Sequence, residues 1–263
     1  MFQIRSSQKN SNAIQHLGWI AILIAFAFAS FETVWPIILK TIFDNNSTIG
    51  FITACFSLLG FLSFIFLVPL FEKIAAKKLF FISLSLNSII FILFTYTKNP
   101  FWFILIAAFD IIFTTIRMQS FGILLRDNSS KKTISKNEIV MFLFANVGWI
   151  LGPLIAGLVA QYWTFNLVLM YCSILLLLST HIYAFTRFNE HKQEGEQINI
   201  FKNLKDFFER KNLTKLYFLS GGLEFWWCLP YIFIPLEMIK VGLDGKYIGL
   251  FLFLLCLTVP SFD

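Results

Sequence analysis

Three carboxylates, Glu32, Asp110 and Glu224, and one guanidinium, Arg117, stand inside long apolar runs of this chain. An ionised side chain at the middle of a bilayer costs about 2.5 to 3.5 kcal/mol on insertion scales. A chain that keeps several of them turns them toward a shared interior rather than toward lipid. Apolar surroundings disfavour the charged form of a carboxyl, so such a group can take a proton from one side and release it to the other, or stay charged opposite a cation. For Glu32, in the stretch "ASFETVW", and for Asp110, the alternative is a protonated acid hydrogen-bonded to a neighbouring helix. For Glu224, "SGGLE" also fits a loosened helix. Arg117 follows Asp110 by seven residues, about 10 Å along a helix, so the two share a face without touching. Arg117 suits pairing with an acid of another helix, binding an anionic substrate group, or a structural ion pair.

Aromatic residues flank two of these acids. Trp35 is one turn from Glu32 on the same face, and "EFWWC" puts Trp226 and Trp227 beside Glu224. Carboxylates next to indole faces suit amphipathic cations, through charge and cation–π attraction; each Trp taken singly also fits space-filling or an interfacial position. Asn87, Asn146 and Gln119 would instead serve a sugar or another polar metabolite. Other chemistry is not in evidence. His16, His181 and His191 have no metal-site spacing, and Cys55, Cys172, Cys228 and Cys256 lie in apolar runs without a CxxC pair, as packing residues do. No phosphate-binding glycine loop or nucleophile motif is present, so no cofactor, no metal and no enzymatic activity is expected.

The elements that must position these residues are membrane helices. The chain is 57% hydrophobic with only 14% charged residues, and its mean hydropathy is +0.74. A bilayer core about 30 Å thick needs about 20 apolar residues per helix. Such windows occur at 17–43, 48–71, 79–97, 101–125, 139–161, 165–186 and 213–238, and another begins at 247. The first is too long for the apolar region of a signal peptide. With the N-terminus in the cytoplasm, sixteen Lys and Arg fall in inner segments against four at outer ends, which is the orientation that the positive-inside rule favours. The formal net charge of +6 follows from those loops; it fits a membrane-facing basic surface and requires no nucleic acid. Between the sixth and seventh windows a polar linker ends in "INIFKNLKDFFERKN", where Ile198, Phe201, Leu204 and Phe208 recur at helical spacing among cations. That pattern suits an amphipathic helix on the inner leaflet or a partner site. The expected organisation is a six-helix bundle over 1–187, a cytoplasmic linker over 188–212, and the first two helices of a second bundle over 213–263. Pro36 with Gly50 and Pro235 with Gly249 recur at equal internal spacing, so the seventh window reads as the first one again, in the same orientation. Parallel repeats of this kind occur in secondary transporters.

One stretch is more specific. In "NVGWILGPLIAG", Gly148, Gly152, Pro153 and Gly157 provide small-residue spacing for close helix contact and a proline bend. The stretch resembles the fifth-helix signature of the major facilitator superfamily, GxxxGP followed by Gly, which is associated there with antiporters; Ala156 stands where a further glycine is expected. The loop "VPLFEKIAAKK", with Glu72, Lys73, Lys77 and Lys78, is similar to the family's cytoplasmic loop signature, with Val68 and Ala75 at its glycine positions. The loop holding Arg126, Asp127, Lys131 and Lys132 is similar to the acidic and basic loop after the fourth helix, and Arg117 sits where the family often has an arginine.

The resemblance implies an all-α integral membrane fold of two six-helix halves around a cavity reached alternately from each side. It implies a conformational-switch role for Glu72, Lys73, Lys77 and the glycine stretch. The expected function is secondary transport of a small molecule, proton-coupled export of amphipathic or cationic compounds, in the plasma membrane. The alternatives are uptake of a polar metabolite and a non-transporting membrane protein. A full two-repeat version would run to roughly 400 residues, so the chain reads as truncated within helix eight, with further helices supplied by a partner chain if it transports as it stands.

Overall fold

The computed structural model describes residues 2–189 and 200–258, with the backbone alone described for 2–11, 200–204, 220, 224 and 225. The described residues are all helix and loop. α1 (Phe2–Ile42), α2 (Asn46–Phe66), α4 (Ala76–Tyr96), α5 (Pro100–Asp127), α6 (Ile134–Tyr162) and α7 (Phe165–Phe185) are the principal helices, with a single turn, α3 (Leu70–Lys73), after α2. These six, α1 from Asn12 onward, are long and apolar enough to cross a membrane. α8 (Ile200–Glu209) follows the linker, then α9 (Lys211–Cys228), a π-helical turn (Leu229–Phe233) and α10 (Ile234–Lys240) run end to end along the seventh apolar window, and α11 (Gly245–Thr258) covers the last. The linker residues 190–199, Ile198 among them, lie outside the described residues, as do the side chains of Phe201 and Leu204. Phe207 and Phe208 of α8 pack their rings against Tyr217 of α9.

The three short connections at one membrane face are stopped by local side-chain caps. Asn45 accepts from the Ser47 N–H at 2.9 Å, Asn99 from the Phe101 N–H at 2.9 Å with Pro100 opening the helix, and Thr164 from the Leu167 N–H. Each satisfies an amide that the helix start leaves without a carbonyl partner. At the other face Tyr183 of α7 donates to the Lys77 carbonyl at 3.1 Å, and its ring meets Phe80 and Phe188. Asn128, ending α5, donates to the Asn189 carbonyl and accepts from the Asn189 N–H at 2.8 Å. The chain leaving α7 is thereby tied down at Asn189.

α1 is the axis of the bundle. The most apolar stretch of α1 is 67% buried against 11% for α2, because α1 packs on both α6 and α7 while α2 lies chiefly on α5. Its contact with α6 is made through glycine. A Cβ at Gly148 would stand 2.5 Å from the Phe26 amide nitrogen, and one at Gly152 would stand 2.8 Å from the Ala29 Cβ. On the next stripe of α6, a Cβ at Gly157 would meet the Gly245 carbonyl at 2.5 Å and the Gly249 Cα at 2.7 Å, so α11 lies backbone to backbone on α6. Elsewhere the core is aromatic: Phe31, Phe91, Phe94, Trp35 and Phe103 form a continuous cluster, with Phe31 and Phe91 stacked at 4.6 Å.

Gly148→Ala is expected to destabilise the protein by about 1 to 3 kcal/mol, since backbone atoms must give way. Gly222→Ala, with open space around the new methyl, should be neutral or stabilising by about 0.5 to 1 kcal/mol. Melting of the two variants in detergent checks this; equal stability would contradict the close packing.

Candidate functional site

Glu32 is half-buried on α1, and its charge reaches Tyr231 on the π-helical turn. Tyr231 is buried. Its ring stands edge-on to Trp149 of α6 at 5.9 Å and tilted to Trp227 of α9 at 5.9 Å, and its hydroxyl lies 3.0 Å from the Cys256 thiol of α11. Five helical segments thus contribute to one constellation of an acid, two indoles, a phenol and a thiol. Each of its main members precedes a proline by four residues: Glu32 and Pro36, Trp149 and Pro153, Tyr231 and Pro235. A proline has no N–H to offer the carbonyl one turn back, so the backbone at all three positions is released from regular α-helical pairing, and at Tyr231 the helix takes up the change as a π turn.

The seventh apolar window meets the six-helix body only along its second part. Residues 211–226 of α9 are mostly exposed, whereas Pro230, Tyr231, Ile232, Pro235 and Leu236 are buried against α1. The glycine contact of Gly157 with Gly245 and Gly249 is at that same end. Within this chain the two parts are therefore closed at the face away from the linker and diverge toward it, with Glu32 and Tyr231 at the depth where contact begins.

Asp110 occupies a different place. It is 7% exposed on α5, and Asn87 of α4 donates from Nδ2 to its Oδ1 at 2.8 Å, to its backbone carbonyl at 3.4 Å and to the Thr114 hydroxyl at 3.2 Å. Arg117, 8% exposed, projects its guanidinium over the Phe28 ring of α1, 4.1 Å from the centroid. Its charge acts on Asp110, so the two residues that cannot touch along α5 still share one buried field. Among the described residues the Arg117 Nε has no hydrogen-bond partner, nor have the Asn87 Oδ1 and the Ser120 hydroxyl.

The other residues singled out from sequence fall as follows. Trp35 does not face this cleft; its ring is stacked on Phe103 at 5.3 Å inside the aromatic core. Trp226 is 48% exposed and touches Trp227 edge-on at 5.0 Å, so Trp227 is the indole that reaches Tyr231. The Glu224 side chain lies outside the described residues. Glu72 and Lys73 are exposed on α3 and Lys77 is partly buried where α4 begins. Gly148, Gly152, Pro153 and Gly157 all lie in helix contacts, the Pro153 carbonyl standing 2.5 Å from where a Gly249 Cβ would be. Of the amides, Gln119 donates to the Phe64 carbonyl at 3.0 Å, while the buried Asn146 Nδ2 has no partner among the described residues. Among the same residues no group of three or more His, Cys, Asp or Glu is placed to hold a metal ion. Sequence reasoning passed over Trp149 and Tyr231, although the four-residue spacing to Pro153 and Pro235 carries a signal.

A model of the major facilitator superfamily matches residues 17–262 of the chain. The chain belongs to the major facilitator superfamily. No curated protein matches it. Membership in the superfamily assigns the chain to the class of integral, multi-pass transporters that work by alternating access, and the helical architecture agrees with the N-terminal half of that bundle followed by further helices.

Asn87→Leu should cost about 1 to 3 kcal/mol of stability, because the Asp110 carboxyl is left buried without its donor. Adding Asp110→Leu should recover part of that loss. Denaturation of the two variants in micelles measures it; an unchanged Asn87→Leu protein would contradict the pairing.

Proposed function

We propose that this chain exports amphipathic or cationic small molecules in exchange for protons, across the plasma membrane with its N-terminus in the cytoplasm. The observation that carries this reading is that the charge of Glu32 reaches Tyr231, whose ring stands against Trp149 and Trp227. A half-buried carboxylate supplies the counter-charge, and three aromatic faces supply apolar area together with cation–π attraction, worth about 0.5 to 2 kcal/mol per ring depending on desolvation. With sixteen of the basic residues on the linker side, the positive-inside rule makes that side cytoplasmic, so the cleft of this pose opens inward, as an exporter needs for loading. Residues 1–187 form one moving body, 213–263 belong to the second, and 188–212 join them.

The alternative of a polar metabolite is less well supported. It relied on Asn87, Asn146 and Gln119, and two of these three amides are already engaged with Asp110 and the Phe64 carbonyl.

Binding of tetraphenylphosphonium to the purified chain in lipid nanodiscs tests the reading. Saturable binding, weakened at least tenfold in Glu32→Gln and several-fold in Trp149→Ala, is expected. Wild-type binding that survives Glu32→Gln undiminished, or protection by sugars in place of hydrophobic cations, would overturn it.

A further inference from the structure

Glu32 and Asp110 are both acids of the membrane interior, yet their surroundings differ in kind. Glu32 is half-buried at the depth where the two parts meet, and its charge reaches Tyr231, whose ring stands against Trp149. Asp110 is enclosed between α4 and α5 inside the six-helix body, where a polar amide and a hydroxyl surround it. A molecule with hydrophobic bulk fits the first place. A proton is small enough to reach the second.

The amide of Asn87 shows what the second place is built for. Its orientation is fixed by the Asp110 backbone carbonyl, which only accepts, so the nitrogen faces it and the neighbouring Oδ1. That leaves the Asn87 Oδ1, fully buried and without a donor among the described residues. A buried acceptor of this kind is costly unless something donates to it. An ionised Asp110 offers it nothing. A protonated Asp110 brings one O–H, which can turn to the Asn87 Oδ1 while the Asn87 Nδ2 keeps its bond to the other oxygen, giving an acid–amide pair with both groups satisfied.

We propose that Asp110, held by Asn87, is the proton-binding residue of this transporter, in a site separate from the Glu32 cleft. The proposal rests on the proton-coupled reading above and divides its labour: Glu32 meets the cation, Asp110 the proton. The charges around Asp110 are compatible with this. On its own helix Arg117 is the nearest, with Arg126 and Asp127 at the end of α5. α4 carries only Lys77 and Lys78, in its first turn, with Tyr96 at its far end, and α2 carries no charged residue, only the exposed Cys55 thiol. α6 brings Lys136 and Glu138 near its start and Tyr162 at its end, and α1 brings Phe28 over Arg117 and then Glu32 one turn on. Proton uptake removes the negative charge opposite Arg117 and leaves that guanidinium, its Nε without a partner, to interact across the Phe28 contact with α1. Coupling between the two acids therefore runs through α1 and α5, not through competition for one carboxylate.

Infrared difference spectroscopy of the full chain in lipid, between acid and alkaline pH, reads the protonated carboxyl directly. The expected result is a carbonyl stretch that appears on acidification, moves when aspartate is carbon-13 labelled and not when glutamate is, persists in Glu32→Gln, and is lost in Asp110→Asn. In Asn87→Leu it should move to higher frequency, as a carboxyl released from an amide does. Isotope labelling keeps the test open in the wild-type chain if a variant fails to fold. A band that follows the glutamate label, survives Asp110→Asn, or ignores Asn87→Leu would overturn the proposal, as would no band at any pH. Loss of tetraphenylphosphonium binding would sink the cation reading alone and leave this result standing.

Discussion

The absence of side chains on two faces of α6 is the constraint on which the rest of the structure depends. Gly148 and Gly152 let α1 approach until its backbone fills the space a methyl would need, and Gly157 does the same for α11 with Gly245 and Gly249. In a membrane, helices gain little from the hydrophobic effect against one another, so close packing and interhelical hydrogen bonds carry the association. Ser30 of α1 adds one such bond, donating to the Gly152 carbonyl at 3.2 Å. α6 is therefore the shared wall between the six-helix body and the helices that follow the linker. Its proline sits between the two contacts, and the released turn before it carries Trp149 into the cleft.

Once α1 and α11 are set against α6, the positions of the two acids follow. α1 turns Glu32 toward the π-helical turn, where Tyr231 is held between Trp149, Trp227 and Cys256. One turn before Glu32, α1 carries Phe28, which with Phe31 enters the aromatic core and forms the face on which Arg117 rests. One helix thus carries both Glu32 and, one turn away, the ring on which the buried guanidinium rests. A rotation or tilt of α1 against α6 would be felt at both places.

Much of this was legible in the sequence. Hydropathy marked every span, because the period of about 20 apolar residues is imposed by the bilayer and not by tertiary packing; the observed helices extend beyond several windows where polar end turns such as 126–127 and 134–138 continue the helix outside the apolar region. The spacing of Gly148, Gly152 and Gly157 identified the packing seam, and the family match over residues 17–262 agrees with the resemblance read there. Ring directions were not legible. Trp35 lies one turn from Glu32, yet its indole joins Phe103 because α1 is buried on nearly all sides and each face meets a different neighbour. Trp226 and Trp227 are about 100° apart around a regular helix, so only the observed rotation of α9 selects Trp227. The partnership of Asn87 with Asp110 depends on how α4 and α5 are aligned, which no local pattern encodes.

The contact of α6 with α11 holds the helices after the linker against the six-helix body, and a cross-link tests it most directly. A Cβ on Gly245 would lie 3.1 Å from the Ala160 Cβ, close to the separation of about 3.5 to 4.5 Å that a disulfide spans. With Cys55, Cys172, Cys228 and Cys256 replaced by alanine, the pair Ala160→Cys and Gly245→Cys in the membrane-embedded chain should link rapidly and almost completely on mild oxidation. If both thiols stay free and reactive toward a maleimide, α11 does not lie on α6, and Glu32 and Tyr231 are not brought to the same place.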